Sequence, residues 1–325
     1  TQSTNGPTSF PHIPFLLALS LILACGADPQ PAATPAKKPA TTPIQNTMST
    51  PTIDWQGHRG ARGLLPENTI PAFLKALEYP IQTLELDVVV SQDQRVILSH
   101  EPWFSEHICT KPTGQPVTAS EAQSLKIYEM DYATIQTYDC GQRGNDRFPE
   151  QQPLAATKPE LREMVRAAEA KARELQRPLP YYNIELKTEE SYYGRLTPAP
   201  AAFVQLVLGE LDSLGILPRV TLQSFDMNIL EAIHQQNPKV TTAQLIENTQ
   251  SLETNLARLS FQPDIYSPYY ETVTRELVEQ VHARQMKLIP WTVNQVEDMR
   301  LLMELEVDGI ITDYPDRIEA ALGLR

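Results

Sequence analysis

From residue 53 onward, short β-rich apolar runs alternate with longer stretches of helical character. The β-rich runs are 53–57, 83–90, 96–99, 181–186, 220–224, 241–245, 264–267, 287–293 and 309–312. Helical stretches lie between most of them, at 70–77, 160–175, 201–214, 227–236, 271–284, 296–304 and 316–322. The first helix has Asn68 and Thr69 as cap candidates and Pro71 in its first turn. Repeated βα units of this length predict a parallel sheet. About 270 residues with roughly eight units favour a closed (β/α)₈ barrel over an open doubly wound sheet. Nine candidate strands are one too many for that barrel, and 96–99 and 309–312 are the weakest. No repeat of fixed period is visible.

Residues 101–152 break the rhythm. They hold Trp103, Phe104, Tyr128, Tyr132, Tyr138 and Phe148 among scattered Gly and Pro. A βα loop has ~2–6 residues, so this is an insertion. On the C-terminal face of a barrel it would overhang the site, where function-bearing loops gather. Cys109 and Cys140 lie inside it and are expected to form a disulfide if the protein is exported.

The region before residue 53 has a different pattern. Residues 15–25 read FLLALSLILAC, an apolar run too short for the ~20 residues of a membrane-spanning helix. It matches the hydrophobic region of a secretory signal, so 1–24 is expected to be a signal peptide. Leu23-Ala24-Cys25-Gly26 resembles a bacterial lipobox, which would make Cys25 the lipidated first residue of the mature chain. Residues 25–52 follow as a Pro-rich tether that can form neither helix nor central strand. The expected product is an exported, periplasmic or cell-envelope lipoprotein, attached to the membrane by its lipid anchor alone, with a barrel domain at 53–325.

Composition narrows the partners. The chain of 325 residues carries 27 basic and 40 acidic side chains, a net charge of −13. That balance argues against nucleic acid, which needs a basic stripe to displace counterions. A small phosphate-bearing substrate stays open, because a divalent cation reverses the local sign. Three cysteines rule out a four-Cys zinc site.

The candidate chemistry sits at strand ends. His58, Arg59 and Gly60 follow the first strand: an acid/base group, a fork for phosphate and a glycine that lets backbone approach a ligand. Glu85 and Asp87, two apart on a strand, share one face and should point into the barrel together. Two like charges there repel, and a hard divalent cation would resolve the repulsion. His100 follows the 96–99 run. Glu185 and Lys187 repeat the spacing with opposite charges, as a third ligand and a phosphate contact.

In sequence order, Gly57-His58-Arg59-Gly60, Pro66-Glu67-Asn68-Thr69, Glu85-Leu86-Asp87, Ser99-His100 and Ile184-Glu185-Leu186-Lys187 resemble the glycerophosphodiester phosphodiesterase family. Gln223-Ser224-Phe225-Asp226, Trp291-Thr292-Val293-Asn294 and Asp308-Gly309-Ile310-Ile311-Thr312-Asp313 continue the likeness, which spans about residues 55–317. The resemblance implies a (β/α)₈ barrel that hydrolyses glycerophosphodiesters to an alcohol and glycerol 3-phosphate. It implies one divalent metal, Ca²⁺ or Mg²⁺, on Glu85, Asp87 and Glu185. It implies catalytic histidines at His58 and His100, with Arg59 and Lys187 on the phosphate. Glu67 is read as a partner of Arg59, and Trp291 as lining the glycerol pocket. One departure is visible, since the family usually has His-Asp where this chain has His100-Glu101.

No Ser, Cys or Thr nucleophile motif accompanies the two histidines. One histidine is therefore expected to activate the substrate's own 2-hydroxyl, giving a cyclic phosphate, with His58 favoured as base and His100 as acid. Two other readings remain at this point. One is a phospholipase C- or D-like barrel acting on intact phospholipids. The other is a surface lipoprotein that binds a ligand through an inactive barrel.

Overall fold

The computed structural model describes residues 53–324. The expected signal segment, Cys25 and the expected Pro-rich tether lie outside them. Eight parallel strands form the centre of the fold. They are β1 (Asp54–Gly57), β2 (Thr83–Val90), β4 (Tyr181–Leu186), β5 (Val220–Ser224), β6 (Thr241–Ile246), β7 (Ile265–Pro268), β8 (Lys287–Leu288) and β9 (Gly309–Thr312). Their spatial order is β8-β7-β6-β5-β4-β2-β1-β9. The extra strand is β3 (Val96–Leu98), which runs antiparallel to β2 outside that order. It is therefore 96–99, and not 309–312, that stands apart from the barrel.

The barrel closes beyond β8. Asp308 N–H donates to Leu288 O at 3.0 Å, Ile311 N–H to Pro290 O at 3.1 Å, and Val293 N–H to Ile311 O at 2.9 Å. The expected strand 287–293 is regular only over Lys287–Leu288. Pro290 lacks an N–H and cannot continue a two-sided ladder.

The helices cover the outside. Thr69 caps α1 (Ile70–Ala76), accepting from Ala72 N–H, with proline in the first turn. A four-residue helix, α2 (Tyr132–Ile135), lies in the insertion. A reciprocal Glu160/Glu163 capping box starts α3 (Leu161–Glu174), whose Leu161, Met164, Val165, Ala168 and Ala172 form its buried stripe. Then come α4 (Pro200–Ser213), α5 (Met227–Gln236), α6 (Leu252–Leu256), α7 (Arg275–Ala283), α8 (Val296–Glu304) and α9 (Ile318–Ala321). The expected helix 271–284 splits, because the Thr274 hydroxyl accepts from Leu277 N–H and starts α7 afresh after a 3₁₀ turn at Tyr270–Thr272. At five residues, α6 is too short to show a helical period.

Alternation along β2 separates two environments. Leu84, Leu86 and Val88 join Phe203 and Val207 of α4 in the main core. A separate apolar cluster holds Ala243 of β6, Ile265 of β7, Ile311 of β9 and Ile289 just after β8. The same periodicity sends Glu85 and Asp87 the opposite way from Leu84 and Leu86.

Between β3 and α3 the insertion has its own core of Phe104, Ile108, Val117, Ile127, Ile135 and Tyr138, continuous with Val89 and Ile97. Phe104 and Tyr138 stack at 3.9 Å between centroids. A disulfide joins Cys109 to Cys140, 31 positions apart. Closing a loop of that length is worth about 3–4 kcal/mol on the chain-entropy model. The paired Cys109→Ser, Cys140→Ser variant is expected to lose roughly that much in guanidinium unfolding. An unchanged midpoint would assign the order of the insertion to its apolar contacts alone. Among the described residues no helix is long and apolar enough to cross a membrane.

Candidate active site

The turn after β1 is built around a close approach. Gly60 has φ +87°, and a Cβ there would lie 2.6 Å from the Ala72 carbonyl carbon and 2.8 Å from Phe73 N. Only glycine fits against α1 in that conformation. Arg59 beside it also has positive φ, at 50°. Its strained N–H is turned onto Glu85 Oε2 at 3.0 Å. Gly60→Ala is accordingly expected to lower the melting temperature and activity together. A variant that melts normally would show that the turn relaxes.

Register brings the acids together. In the parallel pair β2–β4, Asp87 stands opposite Glu185. One oxygen from each of Glu85, Asp87 and Glu185 falls within a sphere where all lie within 4.8 Å of one another, and all three residues are buried. Gln223 donates to Glu85 Oε1 at 2.8 Å. Asn68, itself at φ 54°, donates to Asp87 Oδ2 at 2.8 Å and accepts from Asp87 N–H at 3.2 Å. Asn183 bridges Gln56 and Gln223 beneath them.

Burial, then the adjacent Asp87 charge, hold Glu85 well above the ordinary carboxylate range. Burial also raises Glu185, against the pull of Lys187, whose Nζ lies 2.8 Å away. On Asp87 burial acts the same way, but Arg59, His100 and Lys187 outweigh it and hold the group low. Asp87 Oδ1 is buried without a hydrogen-bond partner. A buried carboxylate oxygen without a donor, beside two carboxylates that resist ionising, fits a hard cation with oxygen ligands.

The two histidines differ in their supports. His58 Nδ1 lies 2.7 Å from Asp313 Oδ1, and Nε2 lies 3.8 Å from Glu85 Oε2. Asp313 also accepts from Arg62 Nε at 2.8 Å and from Asn294 at 2.8 Å. Burial drives the His58 imidazole down to about 4, and Arg62 adds to the shift against Asp313. His100 Nδ1 meets Glu101 Oε1 at 2.8 Å, so the longer side chain still reaches the ring. Arg59 donates from Nη1 to Glu67 at 2.8 Å, and its Nε forms an ion pair with Asp87 at 3.1 Å. Glu67 therefore sits on Arg59 and outside the acidic cluster. Trp291 is tied by its indole N–H to Ser267 O at 2.9 Å.

His58, Arg59, Glu85, His100, Lys187 and Trp291 line one cavity of about 140 Å³. Sequence reasoning missed Asp313, Arg62, Asn68 and Gln223 as functional supports. The rule that finds charges just after a strand also picks Asp313, which follows β9 directly. Buried Lys158, which donates to Ser99 Oγ at 2.8 Å beside His100, carried no signal.

The model of the glycerophosphoryl diester phosphodiesterase family matches residues 58–317. A glycerophosphodiester phosphodiesterase of Bacillus subtilis is 28% identical over 279 residues, covering 83% of this chain and 87% of that one. A solved structure from Silicibacter pomeroyi, assigned as a glycerophosphoryl diester phosphodiesterase, is 30% identical with a TM-score of 0.72, over 83% of this chain and 92% of that one. A phosphodiesterase from Oleispira antarctica, solved with sn-glycerol 3-phosphate, shares the fold at 19% identity and a TM-score of 0.65, over 83% and 96%.

Proposed function

Because the chain belongs to the glycerophosphoryl diester phosphodiesterase family, we propose that it hydrolyses glycerophosphodiesters to an alcohol and sn-glycerol 3-phosphate with one divalent cation, Ca²⁺ or Mg²⁺. The observation that carries this reading is the meeting of Glu85, Asp87 and Glu185 beside His58, Arg59, His100 and Lys187 at the C-terminal ends of barrel strands. A cation held by the three carboxylates supplies Lewis-acid stabilisation of phosphoryl oxygens.

Arg59 and Lys187 hold the other oxygens of the phosphodiester and offset the charge that develops on them. His58 is neutral near pH 7, and Asp313 occupies its Nδ1, which leaves Nε2 as the base. It takes the proton of the glycerol 2-hydroxyl. That oxygen attacks phosphorus, and the bond to the head-group oxygen breaks. His100, steered through Nδ1 by Glu101, gives the departing oxygen its proton. The product of this step is a cyclic phosphate. In the second step His100 takes a proton from water, the hydroxide opens the ring, and His58 returns a proton to the 2-oxygen.

Phosphorus NMR of the full chain with glycerophosphocholine tests both levels. The expected course is a transient cyclic phosphate followed by sn-glycerol 3-phosphate. A trapped covalent phosphoenzyme would overturn the cyclic route. Turnover of intact phospholipid alone would overturn the substrate class. Gln223→Leu, which removes a donor from Glu85, is expected to weaken cation affinity about 10–100-fold. Titration calorimetry checks it, and unchanged affinity would remove Gln223 from the cation's support.

We also propose that the chain is exported and lipid-anchored at Cys25, on the strength of the apolar run 15–25 and the Leu23-Ala24-Cys25-Gly26 sequence. Labelled palmitate is expected to enter the protein in a bacterial host and to be absent from Cys25→Ser.

A further inference from the structure

The small cavity opens into a wider cleft of about 870 Å³, and His100, Glu185, Lys187, Phe225 and Trp291 line both. The cleft therefore begins where the substrate's phosphate would sit. Farther out its wall carries four carboxylates, Glu189, Glu190, Asp226 and Glu247, against one exposed guanidinium, Arg258, together with the rings of Trp103 and Tyr192. Two of these acids are engaged. Asp226 caps α5 and accepts from Tyr193, and Glu189 accepts from Ser191. Glu190 and Glu247 are exposed and form no ion pair among the described residues.

The rings come in two pairs. Trp103 and Tyr192 meet edge to face at 6.1 Å between centroids. Phe225 and Trp291 meet at 88° and 5.5 Å. Lys187 Nζ already lies 5.8 Å from the Phe225 centroid, so one cation in this cleft sits against an aromatic ring.

Aromatic faces and solvated carboxylates share one preference, for positive charge. A hydrocarbon tail would strip water from the carboxylates without replacing it. A neutral polyol would meet mostly acceptors and ring faces. An anionic head would find one guanidinium, Arg258, among four carboxylates, and the net field would repel it. We propose that this cleft is a head-group subsite that selects an alkylammonium alcohol of the choline type. The inference rests on the phosphodiesterase reading and names the alcohol that leaves.

The test compares glycerophosphocholine with the 3,3-dimethylbutyl ester of sn-glycerol 3-phosphate. The two head groups have one shape, and only the first is charged. With the full chain, kcat/KM for the choline ester is expected to be about tenfold higher. The paired Glu189→Lys, Glu190→Lys variant is expected to bring that ratio to about one or below. Because the readout is a ratio within one preparation, a partial loss of folded enzyme does not alter it.

Equal kcat/KM for the two esters in the wild-type chain would overturn the subsite while leaving the phosphodiesterase reading intact. So would a higher value for glycerophosphoglycerol than for glycerophosphocholine. A ratio unmoved by the paired variant would overturn the role of the acidic wall. Failure to cleave any of the diesters would instead overturn the phosphodiesterase reading, and the subsite with it.

Discussion

Replacing His58 by alanine is expected to lower kcat by about 10²–10⁴-fold, the usual contribution of a positioned acid or base. KM should change little, because Arg59 and Lys187 remain to hold the phosphate. The ring's position is held from behind. Asp313 takes Nδ1, Arg62 grips both oxygens of Asp313 at 2.8 and 3.2 Å, and Asn294 ties the same carboxylate to the loop after β8. Asp313→Asn keeps the shape but no longer imposes one tautomer on His58, so it should lose kcat with little change in KM. Asp313→Ala would leave the buried Arg62 guanidinium only its longer contact with Glu67, at 3.8 Å, and is expected to destabilise by about 3 kcal/mol. Steady-state kinetics with thermal melts separates the cases. Normal kcat in His58→Ala would transfer the base role to His100 and overturn the assignment.

Strand-end chemistry was legible because one short-range rule, period-two alternation, applies to both acidic strands. It puts Glu85 with Asp87 and Glu185 with Lys187 on common faces, and the parallel register of the fold then sets Asp87 opposite Glu185. Alternation does not extend to partners distant in sequence. Asp313 reaches His58 across 255 positions, and Gln223 reaches Glu85 across 138. No local pattern carries those pairings. The glycine at position 60 was readable as permissive, but its necessity lies in the backbone of α1, which only packing supplies.

The barrel was readable from its rhythm, and the exceptions have local causes. Strand β3 has the composition of a barrel strand, yet it follows β2 after a five-residue turn, too short for a parallel crossover, so it folds back antiparallel. Pro290 shortens β8, and Thr274 restarts a helix where apolar periodicity alone runs on. The insertion's core is made of residues such as Phe104, Ile127 and Tyr138, which lie in segments with no sustained period.

Chelation is expected to abolish activity, and restoring Ca²⁺ or Mg²⁺ to return it. The physical reason lies in what the site costs without a cation. Burial and mutual repulsion hold Glu85 and Glu185 above the ordinary carboxylate range, so near neutral pH the folded state bears a penalty that the unfolded chain does not. A bound cation relieves it and gives Asp87 Oδ1 a partner. A cation at 100 times its Kd adds about 2.7 kcal/mol of stability, or roughly 5 °C in Tm for a domain of this size. The shift is read by calorimetry without substrate, so it tests the site independently of turnover. Glu185→Gln should diminish the shift and the activity together. It removes one ligand charge and also releases Lys187, which now pairs with that carboxylate. If melting and turnover are both indifferent to chelator and cation, the three carboxylates are hydrogen-bonding groups. Arg59 and Lys187 would then bear the whole charge of the phosphoryl group.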